Sequence, residues 1–300
     1  MRSPGEHPPF VRQRPGHLHP EIDLDELAKV LALEPLPAEP RRRLVGPHDL
    51  HVLEQLRRRR ITRSPNALTA DYFVWATGEG PHRAMTKIGG IPCLPGSMPW
   101  PRRSGTIGDF YAQLSFVDSK DLVPSLPGDV LLVFRFHDLA HVNSWCEELY
   151  AFLWVDAEEH QLIAPQDVQR SRAGAAAGSW PTLHGCRVRT FDDPGQLAAL
   201  LAKGHGDVDL LIGEATKIGG AATDCQSVRP PNVPADWRFL GQVTSTWPAT
   251  GVPFPVVDRS TPICGPDDAD YERTVSGPGS GILCLYLDGR GDVRVFFSDS

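Results

Sequence analysis

The chain has 300 residues, of which 41% are hydrophobic and 22% are charged, a composition typical of a soluble globular protein. Its net charge is −7, and the charge is unevenly distributed. Residues 1–65 carry 12 Lys and Arg against 9 Asp and Glu, whereas residues 66–300 carry 18 against 28. The acidic body argues against a nucleic-acid partner for that region and suits a basic protein partner.

No apolar run approaches the roughly 20 residues that a membrane helix needs. The first 21 residues also lack the apolar core of a secretory signal. We therefore expect a cytoplasmic protein with no membrane partner. The six cysteines form no CxxC pair and no zinc-finger spacing with histidine, so we predict reduced, buried side chains.

The N-terminal part differs in character from the body. Residues 1–20 are rich in Pro, His and Arg, which predicts a disordered arm. Residues 21–65 predict a helical extension, with one helix in EIDLDELAKVLALEP and a second in HDLHVLEQLRRRR. Arg57–Arg60 fall in the last turn of the second helix, where positive charge is favoured. We interpret this basic run as a solvated helix end, with contact to nucleic acid or an acidic partner as the alternative.

From about residue 70, short β-prone runs alternate with turns rich in Pro and Gly. The predicted strands are DYFVWAT, FYAQLSF, VLLVFRF, LYAFLWV, LLIGEATKIGG, RFLGQVTS, GILCLYLD and VRVFFSD. PGQLAALLAKG predicts a short helix before the second half, and SRAGAAAGSW a mid-chain loop. Residues 66–300 therefore predict one β-rich α+β domain with a mainly antiparallel sheet.

The five residues TKIGG occur twice, at 86–90 and at 216–220. Lys87 is followed 26 positions later by Gln113, and Lys217 is followed 25 positions later by Gln242. Both glutamines lie in an aromatic-x-x-Gln run, and each half then has a Gly that opens an apolar run. This common order predicts an internal duplication, with repeat one at about 70–155 and repeat two at about 205–300. The longer second spacing predicts a surface loop over residues 247–278.

The repeated residues suggest particular roles. Gly-Gly suits a turn with positive φ. The Gln amide can both donate to and accept from the backbone of the stiff segment IPCLPGSMPWP. Each Lys can lay its stem on an aromatic surface or bind an acidic group. We favour a structural role over a ligand or partner contact. The candidate binding residues are Lys87, Gly89, Gly90, Trp100, Gln113, Lys217, Gly219, Gly220 and Gln242.

The segment TKIGGIPCLPGSMPWP, followed by FYAQLSFVDSKDLVPSLPGDVLLVF, resembles the YwqG-like family. The matching positions are Lys87, Gly89, Gly90, Pro92, Leu94, Pro95, Trp100, Pro101, Gln113, Leu114, Pro127, Gly128, Leu131 and Phe134. The second half matches less fully, at Lys217, Gly219, Gly220, Gln226, Gln242, Gly281 and Tyr286, and has Ala222 where Pro92 stands in the first. The resemblance covers about residues 70–300.

The resemblance implies an internally duplicated α+β fold of unknown function, without catalytic residues to carry over. Some relatives look to be encoded near bacterial toxin systems, which suggests immunity-type binding proteins.

Enzyme signatures are mostly missing from the sequence. There is no GxGxxG that opens a helix, no GxxxxGK[ST], no GxSxG and no HExxH. His137 and His141 have metal-ligand spacing but no evident third ligand, so we favour a polar loop. Cys93 and Cys225 follow the two lysines at similar distances, and we give a paired role little weight. We predict no catalytic residues, no metal and no cofactor.

Two functional hypotheses remain at this stage. The first is a non-enzymatic module that binds another protein, in its sharpest form an immunity-type protein that neutralises a basic toxin. The alternative is a small-ligand-binding protein or an enzyme, with a site between the repeats where Lys87 and Lys217 converge on an acidic ligand.

Overall fold

The structure is a computed structural model and describes residues 10–32, 53–58, 60, 65–136, 149–158, 161–165, 167–168, 182–193, 215–222, 233–244 and 281–299. The strands are β1 Val11–Gln13, β2 Pro20–Ile22, β3 Leu68–Thr77, β4 Lys87–Ile88, β5 Arg102–Arg103, β6 Thr106–Ile107, β7 Asp109–Ser115, β8 Val130–Arg135, β9 Tyr150–Val155, β10 Leu183–Asp192, β11 Lys217–Gly219, β12 Arg238–Thr244, β13 Gly281–Leu287 and β14 Val293–Asp299. Helix α1 spans Leu24–Leu31, residues 53–58 are helical, and a 3₁₀ helix spans Val117–Ser119.

The main sheet has the strand order β14-β13-β12-β11-β3-β10-β4-β7-β8-β9. All neighbours along this path are antiparallel. The β1–β2 hairpin joins the sheet through a short parallel contact between β2 and β10, and β5 and β6 form a separate hairpin. The prediction of a β-rich, mainly antiparallel fold is confirmed.

The centre of the sheet is the long antiparallel pair of β3 and β10, which runs from Leu68 opposite Asp192 to Thr77 opposite Leu183. β4 lies beside β10, and β11 lies beside β3. β11, from the second half, therefore pairs with β3 of the first half, and β4, from the first half, pairs with β10, which lies between the two repeats in sequence. The two halves thus form one continuous sheet.

One face of this sheet carries a single apolar cluster. It draws Leu131 and Tyr150 from the first half and Leu283 and Val293 from the second, with Phe73 of the central strand among them. Since burial of apolar surface is the main favourable term in folding, this shared cluster ties the two halves together.

The opposite face is covered at its centre by the N-terminal helices. Leu27 of α1 and Leu53 and Leu56 of the helical segment 53–58 pack against Val74 of β3 and are essentially fully buried. The Thr190 hydroxyl of β10 donates to the Leu56 carbonyl at 3.2 Å. The helical residues are thus part of the folded body.

Helix α1 begins after Asp23, whose carboxylate accepts from the backbone N–H groups of Asp25 and Glu26. The sequence predicts disorder over residues 1–20, whereas residues 10–20 include β1 and the start of β2, with Phe10 only 2% exposed. The pairing of β1 with β2 and the burial of Phe10 supply the order that the composition did not indicate. Residues 1–9 lie outside the described part of the chain.

Candidate functional site

The second TKIGG turn is built around a buried carboxylate. Lys217 of β11 places its Nζ 2.5 Å from Oδ2 of Asp192, the last residue of β10. The same oxygen accepts from the Ala221 N–H at 3.0 Å, and the Tyr72 hydroxyl donates to Oδ1 at 2.7 Å. The Lys217 and Asp192 side chains are 0% and 4% exposed. Three donors thus hold one carboxylate inside the protein.

The first TKIGG turn makes the matching contacts. Lys87 of β4 places its Nζ 2.9 Å from Oε2 of Glu79, which follows the end of β3. Oε1 of the same carboxylate accepts from the Ile91 N–H at 2.8 Å. Lys87 is 1% exposed and Glu79 is 39% exposed. In both turns the lysine and the N–H just after Gly-Gly share one carboxylate.

The glycine pairs make this arrangement possible. All four glycines have positive φ, 62° and 69° in the first turn and 71° and 71° in the second. A Cβ built on Gly90 would lie 2.1 Å from Oε1 of Glu79, and one on Gly220 would lie 2.6 Å from Oδ2 of Asp192. Only glycine combines this backbone conformation with so close an approach of the carboxylate.

Each lysine stands opposite a glutamine on the neighbouring strand, Lys87 opposite Gln113 and Lys217 opposite Gln242. The side-chain amides of both glutamines donate to backbone carbonyls. Gln113 Nε2 donates to the carbonyls of Arg83 and Met85 at 2.7 and 2.6 Å, and Gln242 Nε2 donates to the Ala215 carbonyl at 3.0 Å. Met85 and Ala215 both stand two residues before their lysine. These carbonyls precede the lysine, so they lie outside the Pro-rich segment for which the sequence suggested this role of the glutamine.

In the first half the glutamine also holds the Pro-rich segment that follows the turn. Gln113 Oε1 accepts from the Cys93 N–H at 2.9 Å. Arg83 donates to the Pro92 carbonyl at 2.7 Å, and the Trp100 indole donates to the Gly108 carbonyl at 2.7 Å. The segment is fixed at both ends, and its tip, residues 96–99, is exposed apart from a half-buried Met98.

Burial and charge oppose one another in both pairs. Burial disfavours the charged form of Asp192, but the Lys217 ammonium and the three hydrogen bonds outweigh it and hold the pKa of the carboxyl below its ordinary value. Burial lowers the pKa of Lys87, while Glu79 acts to raise it. Each amine is thus bound to its own carboxylate.

The strand order sets the separation of the two lysines. β11 and β4 are separated by β3 and β10, so three strand spacings lie between them. The lysines are also offset along β10, because Lys217 aligns through β3 with Val188 whereas Lys87 aligns with His184. At about 4.8 Å per spacing and about 3.4 Å per residue, the lysine backbones are roughly 20 Å apart. Of the nine candidate binding residues, Gly90 and Gly220 are half-buried and the other seven are buried.

The central strands carry a second set of paired charges, buried at Asp71 and Arg187 and exposed at Arg189, that the sequence did not indicate. Arg189 of β10 and Asp71 of β3 stand directly opposite one another and form two hydrogen bonds, Nε to Oδ1 at 2.8 Å and Nη2 to Oδ2 at 2.9 Å. The Ser119 hydroxyl also donates to Asp71. Arg187, two residues earlier on β10, is bonded to Glu21 of β2. These contacts join β3, β10, β2 and the 3₁₀ helix.

His19 is fully buried beside this set. Its Nε2 accepts from the Thr86 N–H at 2.9 Å, so the neutral ring carries its proton on Nδ1. Nδ1 lies 2.8 Å from the Asp118 carboxylate and donates to it. Burial lowers the pKa of His19 despite the opposing effect of Asp118, while the hydrogen bonds from His19 and Leu18 outweigh burial and lower the pKa of Asp118.

Glu79 and Asp192 are the site residues that the sequence reasoning missed. Glu79 lies 8 residues before its lysine and Asp192 lies 25 residues before its own. Since these spacings differ, no repeat pattern could pair them. The only signal was Gly-Gly itself, which indicates that another group approaches the backbone closely.

Several other predicted features lie outside the described part of the chain, namely His137, His141, Cys225, the segments 171–180 and 194–204, and the loop 247–278. Cys93, Cys186 and Cys284 are buried. Within the described ranges, no group of three or more His, Cys, Asp or Glu residues is placed to hold a metal ion. No helix in those ranges has the length and apolar character to cross a membrane.

No model of a known protein family matches the chain, and a search of curated proteins finds no match. The structure itself defines a β-rich protein that is built on one large antiparallel sheet and has two matching lysine turns.

Proposed function

We propose that the protein is a non-enzymatic module that binds another protein, built from two copies of one β unit. The observation that carries the proposal is the use of the repeated residues. Lys87 and Lys217 each bind a carboxylate of the protein itself, and the facing glutamines hold backbone carbonyls. The lysines and glutamines of the repeat thus stabilise the fold, and we assign recognition of a partner to the loops that they hold in place.

The duplication is supported by three equivalences between the halves. The pairing of each lysine with its glutamine, the sharing of one carboxylate by the lysine and a backbone N–H, and the position of the carbonyl held by the glutamine all recur. β7 and β12, the glutamine strands, also share a register shift just before the glutamine, between Phe110 and Ala112 and between Phe239 and Gly241. Independent origins for so many matching details would be a coincidence.

The surface that we assign to recognition is the tip of the Pro-rich segment, residues 96–99. Its N-terminal side is anchored by Gln113 and Arg83, and Gly96 itself donates to the Gln161 carbonyl at 2.7 Å. An exposed loop that is already ordered loses little conformational freedom when it binds, which favours affinity. This arrangement suits a displayed contact surface.

The sharpest form of the proposal is an immunity-type protein. It draws on the resemblance of residues 70–300 to the YwqG-like family and on the acidic body, which has a net charge of −10 over residues 66–300. An acidic protein would attract a basic toxin and speed its association, particularly at low salt.

The alternative is a small-ligand protein or enzyme with a site between the repeats. It would need Lys87 and Lys217 to act on one ligand. Their backbone separation of roughly 20 Å and their separate carboxylates favour the binding module instead.

The test is capture of a partner by the tagged full-length chain, followed by affinity measurements on two surface variants. Ser97→Arg alters the exposed tip of the segment. Gly289→Arg is the matched control, since Gly289 is exposed in the β13–β14 hairpin and an added Cβ would lie 3.6 Å from the nearest atom, Oδ2 of Asp236. We expect Ser97→Arg to weaken binding at least about tenfold, or about 1.4 kcal/mol, while Gly289→Arg binds normally.

Equal binding by both variants would overturn the assignment of the surface. If the wild-type chain captured no protein but turned over or bound a small molecule that required both lysines, the alternative would replace the binding module.

A further inference from the structure

Arg135, the last residue of β8, is an unusual buried cation. It is 9% exposed, and its Nε and Nη1 atoms are buried with no hydrogen-bond partner in the part of the chain that the structure describes. A guanidinium group offers only donors and stays charged at any physiological pH. Buried donors are nearly always satisfied, so the free donors of Arg135 indicate a missing acceptor.

The groups around Arg135 come from the two neighbouring strands. Asp109 of β7 and Tyr150 of β9 stand opposite Arg135 in register. Residues opposite one another across antiparallel strands point to the same face, with Cβ atoms about 5 Å apart. Tyr111 of β7 also interacts electrostatically with both Arg135 and Tyr150. Arg135 is therefore lined by two tyrosines and one carboxylate.

The two tyrosines are held in their protonated form. Tyr111 and Tyr150 are 3% and 6% exposed. Burial raises the pKa of both hydroxyls, more than the Arg135 charge lowers it. Each phenol therefore keeps its O–H and is able to donate a hydrogen bond.

The charge balance favours a small anion. Asp109 is the carboxylate that faces Arg135, and it acts on the guanidinium through its charge without filling the Nε and Nη1 positions. The unpaired Nε and Nη1 donors of Arg135 are satisfied best by a group with several acceptor oxygens, to which the Tyr150 hydroxyl on the facing strand is also able to donate. Because Asp109 already offsets part of the charge, a compact ligand of low charge fits better than a polyanion.

We propose that Arg135, Tyr111 and Tyr150 form a binding site for a small oxyanion, a carboxylate or a phosphate group, at this end of β8. This site is separate from the surface proposed to bind a protein. It lies on the sheet face that carries the shared apolar cluster, to which Tyr111 and Tyr150 belong. Residues 96–99 are not part of it. Loss of one activity therefore does not require loss of the other.

Calorimetric titration of the full-length chain with acetate and, separately, with inorganic phosphate tests the proposal, with chloride at equal ionic strength as the control. We expect saturable binding of at least one oxyanion and none of chloride, and the stronger of the two identifies the ligand class. Arg135→Gln should weaken binding at least about tenfold, and Tyr150→Phe should weaken it less. Arg290→Gln, at an exposed hairpin position, is the matched control and should bind as the wild type does.

If Arg135→Gln does not fold, the wild-type chain still provides a decisive measurement. The ¹⁵Nε–H resonance of Arg135 should shift as the bound oxyanion saturates, and the shift should require higher concentrations in Tyr150→Phe. Absence of saturable binding by both oxyanions would overturn the proposal. So would binding that leaves the Arg135 resonance unmoved or that Arg135→Gln retains in full.

Discussion

Lys217 and Asp192 form an ion pair that is almost completely removed from water, with Nζ 2.5 Å from Oδ2. The equivalent pair, Lys87 with Glu79, has matching partners at a longer distance of 2.9 Å and leaves 39% of the glutamate side chain exposed. The two pairs therefore differ in what remains after the lysine is removed. Asp192 would keep an uncompensated charge in the interior, whereas Glu79 would be partly hydrated.

Lys217→Met should therefore destabilise the protein more than Lys87→Met does. Loss of one partner of a buried ion pair costs about 3–5 kcal/mol, and we expect Lys217→Met to fall in this range and Lys87→Met clearly below it. Urea unfolding followed by circular dichroism measures both. Lys29→Met, at an exposed pair with Glu26, is the control and should leave the unfolding midpoint unchanged. If the two variants lost the same free energy of unfolding, the exposure of Glu79 would not explain a difference between the pairs, and this interpretation would be wrong.

Gly220→Ala should cost more stability than Gly291→Ala. Both glycines have positive φ, 71° and 88°, so alanine is strained at either position by about 1–2 kcal/mol. Only at Gly220 does the new Cβ also meet a carboxylate oxygen at 2.6 Å, whereas nothing lies within 4 Å at Gly291. The difference between the two variants measures the cost of the contacts with Asp192 and with the Ala70 Cβ, which would lie 2.9 Å from the new Cβ. If thermal unfolding showed no difference, the close approach of Asp192 to this turn would be wrong.

Gln113→Leu should loosen the start of the Pro-rich segment. The change leaves the Cys93 N–H and the Arg83 and Met85 carbonyls without their partner, at about 1–3 kcal/mol for each group that stays buried. Cys93 is buried in the native protein, so its reaction with a thiol reagent should become faster in the variant, as should amide exchange at Cys93. Gln161→Leu, at an exposed residue that contributes its carbonyl to Gly96, is the control. Unchanged exchange at Cys93 would argue against Gln113 as the anchor.

Stability should fall as the pH drops below about 6.5, the ordinary pKa of histidine. The pKa of His19 is lowered in the folded state, so the unfolded chain takes up the proton first. The stability due to neutral His19 is thus complete above 6.5 and is lost as the pH falls toward its folded pKa. Asp118, Asp71 and Arg187 are the charged groups that act on it.

His19→Gln tests this assignment, because it keeps a side chain that hydrogen-bonds but removes the titration. The variant should be less stable at pH 8 and should show a smaller loss between pH 7 and 5 than the wild type. His82→Gln, at an exposed residue, is the control and should show the wild-type slope. A wild-type slope in His19→Gln would rule out His19 as the source.

The sequence predicted the strands whose apolar residues are continuous, and it missed the central strand β10. β3, β7, β8 and β13 fall within the predicted runs to within a few residues. β10 contains His184, Arg187 and Arg189, which interrupt the apolar pattern. The structure buries His184 and Arg187 and pairs Arg187 and the exposed Arg189 with carboxylates that are remote in sequence, Glu21 and Asp71. Such pairing is invisible in a local pattern.

Only part of the candidate site was predictable from the sequence. Lysine, Gly-Gly and glutamine recur at nearly equal spacing, so the sequence marked them as a repeated set, but it did not indicate that each lysine stands opposite its glutamine. The carboxylates belong to Glu79, just after β3, and to Asp192, at the end of β10, and they meet the turns because β4 pairs with β10 and β11 pairs with β3. This strand order depends on the whole sheet, and no local spacing records it.

The measurement that tests the central claim most directly is thermal unfolding of the Lys87→Met/Lys217→Met double variant, with partner binding measured well below its melting temperature. The two pairs lie three strand spacings apart in the sheet, so their effects should add. We expect a much lower melting temperature and an unchanged affinity of the folded protein. An unchanged melting temperature together with lost binding would contradict the account and make the two lysine turns the recognition surface itself.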